Sequence, residues 1–160
     1  MVPWEAFAAW HPELAERGAR RLLEYQDGLA FLSTPQSRGD TRVQPVYPYL
    51  EEGRLYVLRT PTILRKPKVE VREAYALQAF PMGGKKAGDF FLAGEARLIG
   101  DPKLHKELCR NVRLYGRPGD KLFELRIQWA LYSGWDRAED GGVRAVRLQW
   151  NAAYPVRPGR

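Results

Sequence analysis

Residues 121–132 alternate with a period of two, with Phe123, Leu125, Ile127, Trp129 and Leu131 on one side and Glu124, Arg126 and Gln128 on the other. Successive side chains of a strand point to opposite faces, so the stretch reads as a β-strand with one face in a core. Such a strand needs hydrogen-bonding neighbours along its edges and a layer over its apolar face. The rest of the chain has to supply both.

Further strand-like runs occupy residues 29–34, 41–50, 54–60, 74–80, 89–99 and 143–150. Turn-forming residues separate them: Pro35 to Asp40, Glu51-Glu52-Gly53 as a tight hairpin, and Gly141-Gly142. Pro45 and Pro48 cannot donate to a ladder, so the run at 41–50 is expected to be interrupted. Residues 61–73 read as irregular with a short helix after Pro67, and Gly83-Gly84 as a mobile loop. Strands joined by short turns imply an antiparallel sheet, and closure into a barrel removes exposed edges.

Helices flank the strands. Pro3 and Pro12 suit first-turn positions, and Leu14, Ala15, Ala19, Leu22 and Leu23 recur at helical spacing up to a stop at Gly28. Asp101-Pro102 pairs a capping residue with a first-turn proline, opening a helix that is expected to run to about Tyr115. The expected fold is mainly β with flanking helices, one domain over residues 1–160 with a helical segment at 1–27.

Charge narrows the partners. Twenty-six Lys and Arg against nineteen Asp and Glu leave +7, which favours an anion. The single cysteine, Cys109, excludes an internal disulfide. No stretch approaches the roughly 20 apolar residues of a membrane helix, and the first ten residues hold no basic leader. A cytoplasmic protein with no membrane partner is expected.

The residues offer three chemistries. His105 and Cys109 share a helical face, but His11 is the only other histidine and a zinc site usually needs three or four protein ligands. The alternative is a cysteine packed on the core beside a surface histidine, and no metal is expected. There is no Gly-x-Ser-x-Gly elbow and no phosphate-binding glycine pattern. The third is a basic cluster, Arg54, Arg59, Arg65, Lys66, Lys68 and Arg72, opposed within that stretch by Glu70. The hairpin folds the strand bearing Arg42 back against the one ending at Arg59. An arginine fork, a lysine charge and a hydroxyl from Thr60 or Thr62 suit a phosphate monoester. The same cluster also reads as a solvated basic face.

The order of segments is similar to that of the pyridoxamine 5′-phosphate oxidase-like FMN-binding split-barrel family. The likeness runs from two helices through Gly28-Leu29-Ala30-Phe31-Leu32-Ser33-Thr34 and Thr41-Arg42-Val43-Gln44-Pro45-Val46. It continues in Gly53-Arg54-Leu55-Tyr56-Val57-Leu58, Lys66-Pro67-Lys68, Tyr75-Ala76-Leu77-Gln78-Ala79-Phe80 and the stretch from Asp89 to Arg97. The resemblance implies an antiparallel split barrel that dimerises and holds FMN at the subunit interface. It assigns Arg42 and Lys68 to the flavin phosphate, with Lys66 where a hydroxyl residue is usual and Thr60 or Thr62 as its substitute. It places Val43, Gln44 and Val46 along the isoalloxazine, and Asp89 and Trp135 near the flavin of the other subunit.

The founding enzyme's substrate site is missing. Tyr47 stands where a lysine belongs, the helix from Asp101 to Tyr115 lacks the Tyr, Arg and Ser set, and the C-terminal arginine–histidine pair is absent. The resemblance therefore implies an FMN-dependent oxidoreductase on an undefined small molecule, acting as a homodimer. Related barrels take a deazaflavin or haem instead. A basic nucleic-acid-binding barrel is the other alternative, but it needs outward aromatics. Apolar residues on both faces of 90–99 call for a cover, which either a second subunit or a helix can provide.

Overall fold

A computed structural model describes residues 1–24, 28–36, 39–59, 72–81, 88–111, 119–139 and 141–154, with side chains 109–111 excepted. Of the irregular stretch with a short helix expected at 61–73, residues 61–71 lie outside the described residues, as do the Gly83-Gly84 loop and the side chain of Cys109; Arg72 and Glu73 are strand instead, paired with Arg97 and Ala96.

The chain opens with α1 (Trp4–Trp10) and α2 (Pro12–Ala19), then a π-helical turn over Arg20–Glu24. Sequence spacing predicts that the second helix continues from Pro12 without interruption to a stop at Gly28. The wider turn instead shifts the pitch, and Arg21 and Leu22 become buried. Strands β1 (Ala30–Pro35), β2 (Thr41–Val46), β3 (Tyr49–Glu51), β4 (Arg54–Arg59), β5 (Arg72–Ala79) and β6 (Gly88–Leu98) follow. Helix α3 (Pro102–Asn111) separates them from β7 (Lys121–Arg137) and β8 (Val143–Asn151). Asp101 caps α3 by accepting from the Lys103 N–H at 2.8 Å.

The eight described strands form one sheet in the order β2-β1-β5-β6-β7-β4-β3, with β8 also on β7. All their pairings are antiparallel. The two ends of this path are halves of one run interrupted at Tyr47-Pro48, so the sheet curls back on itself. Proline at the break is the local cause. The β3–β4 hairpin turns on Glu52 (φ 46°) and Gly53 (φ 72°), the positive pair that a type I′ turn requires.

The 17-residue β7 departs from strict alternation. Ala93 pairs with Trp129 and Gly94 with Ile127, which leaves Gln128 as an extra residue. Such a bulge reverses facing. Phe123, Leu125 and Ile127 are buried before it, and Ala130 and Tyr132 after it. Trp129 and Leu131, expected in the core with Phe123, instead emerge half-buried on the outer face. A β-carbon at Gly94 would land on the carbonyl oxygen of Arg126, so glycine is required where the strands close at the bulge.

Helices α1 and α2 cover the inner face beside β6 and β8: Trp4 meets Phe90 edge-on at 6.5 Å and Phe7 lies 5.2 Å from Trp150. Arg17 clamps α2 to β7 through two bonds to Asp136, at 2.8 and 2.7 Å. Helix α3 covers a different surface, the outer side of β4 and the start of β7, where Leu108 packs with Tyr56 and Leu122.

Gly94→Ala is expected to destabilise the fold by about 1–3 kcal/mol through overpacking at the bulge. Gly100→Ala, with open space around it, serves as the neutral control, and urea unfolding compares them. A second outcome concerns pH. Hydrogen bonds from Arg17 hold the Asp136 carboxyl below its usual value of 3.8, so its stabilisation is complete at neutral pH and fades as pH falls through the lowered value. Asp136→Asn should therefore melt below the parent at pH 7, with the gap narrowing only below about pH 4.

Candidate anion site

On β2 the side chains alternate in facing: Val46 is buried in the core, Gln44 and Arg42 follow it on the inner side, and Val43 points outward, 60% exposed. Beside β2 the sheet is split. Strand β3 pairs with Arg54 to Tyr56 of β4 only, and on its other edge β4 pairs with β7. Among the described ladders, Val57 to Arg59 thus have no partner on the side towards β2.

Arg59 fills the interior at this split. It is 2% exposed, its guanidinium lies over the Phe123 ring at 3.9 Å, and its Nη2 donates to Glu73 Oε2. Glu73 projects from β5, which β6 and β7 separate from β4 in the sheet, so the pair reaches across the barrel. Burial presses Arg59 towards its neutral form, Glu73 opposes this, and the nearby positive charge of Arg42 adds to it. Thr34 pairs in register with Arg42, and Tyr75 stands next along the inner face of β5. Burial raises the Tyr75 phenol far above its ordinary range.

The interior at this split is rich in unused polar atoms. Arg59 Nε and Nη1, Glu73 Oε1, Thr34 Oγ1, Gln44 Nε2 and Tyr75 OH are all buried without a hydrogen-bond partner. Folded domains rarely leave more than a few such groups per hundred residues. Among the described residues here, the two arginines, Arg42 and Arg59, are set against one carboxylate, Glu73, so their formal balance is positive and the unpartnered donors outnumber the acceptors. An anion with several oxygens matches both properties.

Of the expected site residues, the structure brings Arg42, Gln44 and Arg59 to the inner side at this split. Val46 borders it as core. Val43 lies on the other face of the same strand, as period-two alternation requires. Thr60, Thr62, Lys66 and Lys68 lie outside the described residues. Asp89 and Trp135 come together elsewhere, along an outer groove of about 390 Å³ that also includes Ser133 and Arg147. Sequence reasoning missed Glu73, Thr34 and Tyr75. The available signal was their parity: Thr34 continues the inward set Ala30 and Leu32, and Glu73 and Tyr75 continue Leu77 and Ala79.

No family model matches the chain, and no curated protein does. Solved structures are similar in fold. A putative general stress protein 26 from Jannaschia sp. CCS1 has a TM-score of 0.50 at 12% identity, over 86% of this chain and 99% of that one. A pyridoxamine 5′-phosphate oxidase-related, FMN binding protein from Nostoc punctiforme PCC 73102 has a TM-score of 0.48 at 12% identity, over 92% and 98%. A heme binding protein from Mycobacterium smegmatis has a TM-score of 0.47 at 15% identity, over 81% of this chain. This chain spans 56% of the length of that protein. At such identities the likeness is one of fold.

Removing one partner of a buried ion pair leaves the other charge stranded. Arg59→Leu is expected to destabilise the protein by about 3–5 kcal/mol, and adding Glu73→Leu should recover much of that loss. Denaturant midpoints of the single and double variants check it.

Proposed function

We propose that this chain is an FMN-binding split-barrel protein that acts as a homodimer in flavin-dependent oxidation or reduction of a small molecule. The observation that carries the reading is the convergence of Arg42 and Arg59, from separate strands, on a split lined with buried unpaired donors. A flavin phosphate supplies the oxygens those donors lack. Arg42 and Arg59 would hold its charge, with Gln44 and Thr34 contributing neutral bonds. Bound flavin supplies hydride or electron transfer, while the protein contributes position and electrostatics.

The outer face supports the homodimer. Phe31, Phe91, Ala93, Trp129 and Leu131 share it, all half-buried, beside exposed Val43 and Trp135. Helix α3 covers a different part of the outer surface and α1 and α2 pack on the inner side, so no described helix covers this patch. A contiguous apolar surface of this kind marks an interface.

Titration with FMN is expected to quench flavin fluorescence, and riboflavin, which lacks the phosphate, should bind far more weakly. Arg42→Ala should weaken FMN about 10- to 100-fold, the loss of one charge-assisted bond, and leave riboflavin unchanged. Equal affinity for FMN and riboflavin would remove the phosphate site. The absorption spectrum of the purified protein separates flavin, deazaflavin and haem. Sedimentation of the parent and of Leu131→Lys tests the interface, with a dimer expected for the first and a monomer for the second.

A further inference from the structure

The Arg59–Glu73 pair does more than balance charge. A salt bridge built for stability would use both carboxylate oxygens and the full guanidinium fork, since burial is only repaid when the remaining lone pairs and protons are satisfied. Here Arg59 uses one nitrogen on Glu73, with Nε and Nη1 unpartnered, and Glu73 has Oε1 unpartnered. The pair is half-made. Phe123 fixes the guanidinium plane from one face at 3.9 Å, so Arg59 keeps its position whether or not Glu73 holds it. Glu73, with 15% of its side chain exposed against 1% for Arg59, is the partner with more access to solvent.

We propose that Glu73 is a displaceable internal counter-ion: its carboxylate sits on the Arg59 nitrogen that the ligand's phosphate takes, and binding exchanges one for the other. This rests on the reading that an anionic group enters the split. It adds that the chain lowers its own affinity for that anion. Without Glu73, folding would bury Arg59 near Arg42 with no carboxylate among the described residues to offset it, at a large desolvation penalty. With it, the ligand-free barrel is neutralised enough to form, and the incoming phosphate has to outcompete a tethered carboxylate. A phosphate offers three oxygens to donors spread over Arg42, Arg59, Gln44 and Thr34, whereas the carboxylate reaches one.

The competition predicts a result opposite to that of a simple anchor. If Glu73 merely held Arg59 in place, Glu73→Gln would weaken anion binding. As a displaceable counter-ion, Glu73→Gln is expected to bind FMN about tenfold more tightly, because a like charge has left the site, while the ligand-free protein melts lower. Inorganic phosphate should raise the melting temperature of the variant more than that of the parent. Glu95→Gln, altering an outer-face carboxylate bonded to Arg97, is the control and should change neither. Should Glu73→Gln fail to fold, Glu73→Asp keeps the charge but withdraws it by one methylene, and a smaller gain in affinity is expected. Unchanged or weaker binding of both FMN and phosphate in the variant that folds would overturn the counter-ion. If neither parent nor variant binds FMN but phosphate stabilises the variant more, the flavin reading falls and the counter-ion stands.

Discussion

Everything in this barrel depends on how the backbone of β7 is hydrogen-bonded. One edge belongs to β6 along its length. The other is shared by three separate pieces of chain: β4 as far as Leu125, Val2 at Ile127, and β8 from Trp129 onward. Val2 exchanges two bonds with Ile127, at 2.9 and 2.8 Å, and Ala152 donates to the carbonyl of Gln128 at 2.8 Å. An unmade buried backbone bond costs about 1–3 kcal/mol. A slip of β7 by one residue would forfeit several and turn its apolar side chains outward. The chain's beginning, middle and end are therefore locked to one strand.

Against that well-paired frame, the polar interior at the split stands out. Six side-chain atoms inside it are buried without a hydrogen-bond partner. Local rules are broken at functional places more often than elsewhere, because the missing partner is a ligand. The outer apolar face is a second such place. Both include residues of β1 and β2, on opposite sides of one layer of sheet, so there a ligand at the split and a subunit on the outer face would be separated by little more than the strands themselves.

Much of this was legible because it is local. The hairpin at Glu52-Gly53, the break at Pro48 and the cap at Asp101 each depend on the conformational limits of a few adjacent residues, and each is found where those limits put it. Arg42 and Arg59 could be paired in advance, since a hairpin folds one strand back along the other. The facing of Trp129 and Leu131 could not. The bulge at Gln128 arises because Gly94, on another strand, allows the backbone of Arg126 to come close, and no periodicity within β7 records that. Glu73 was hidden for a similar reason: beside Arg72 and close to Glu70 it reads as surface charge until β5 turns Ala74 and Ala76 outward and Glu73, Tyr75 and Leu77 into the barrel.

The sequence by itself determined the strand periods, the turns, the positions of proline and glycine breaks and the excess of positive charge, because these follow from each residue's own geometry and ionisation. Only the tertiary structure decided which side of the sheet each residue occupies past the bulge, and that Arg59 meets Glu73 across the interior. Those outcomes depend on contacts between strands distant along the chain, which form only once the sheet has curled and closed.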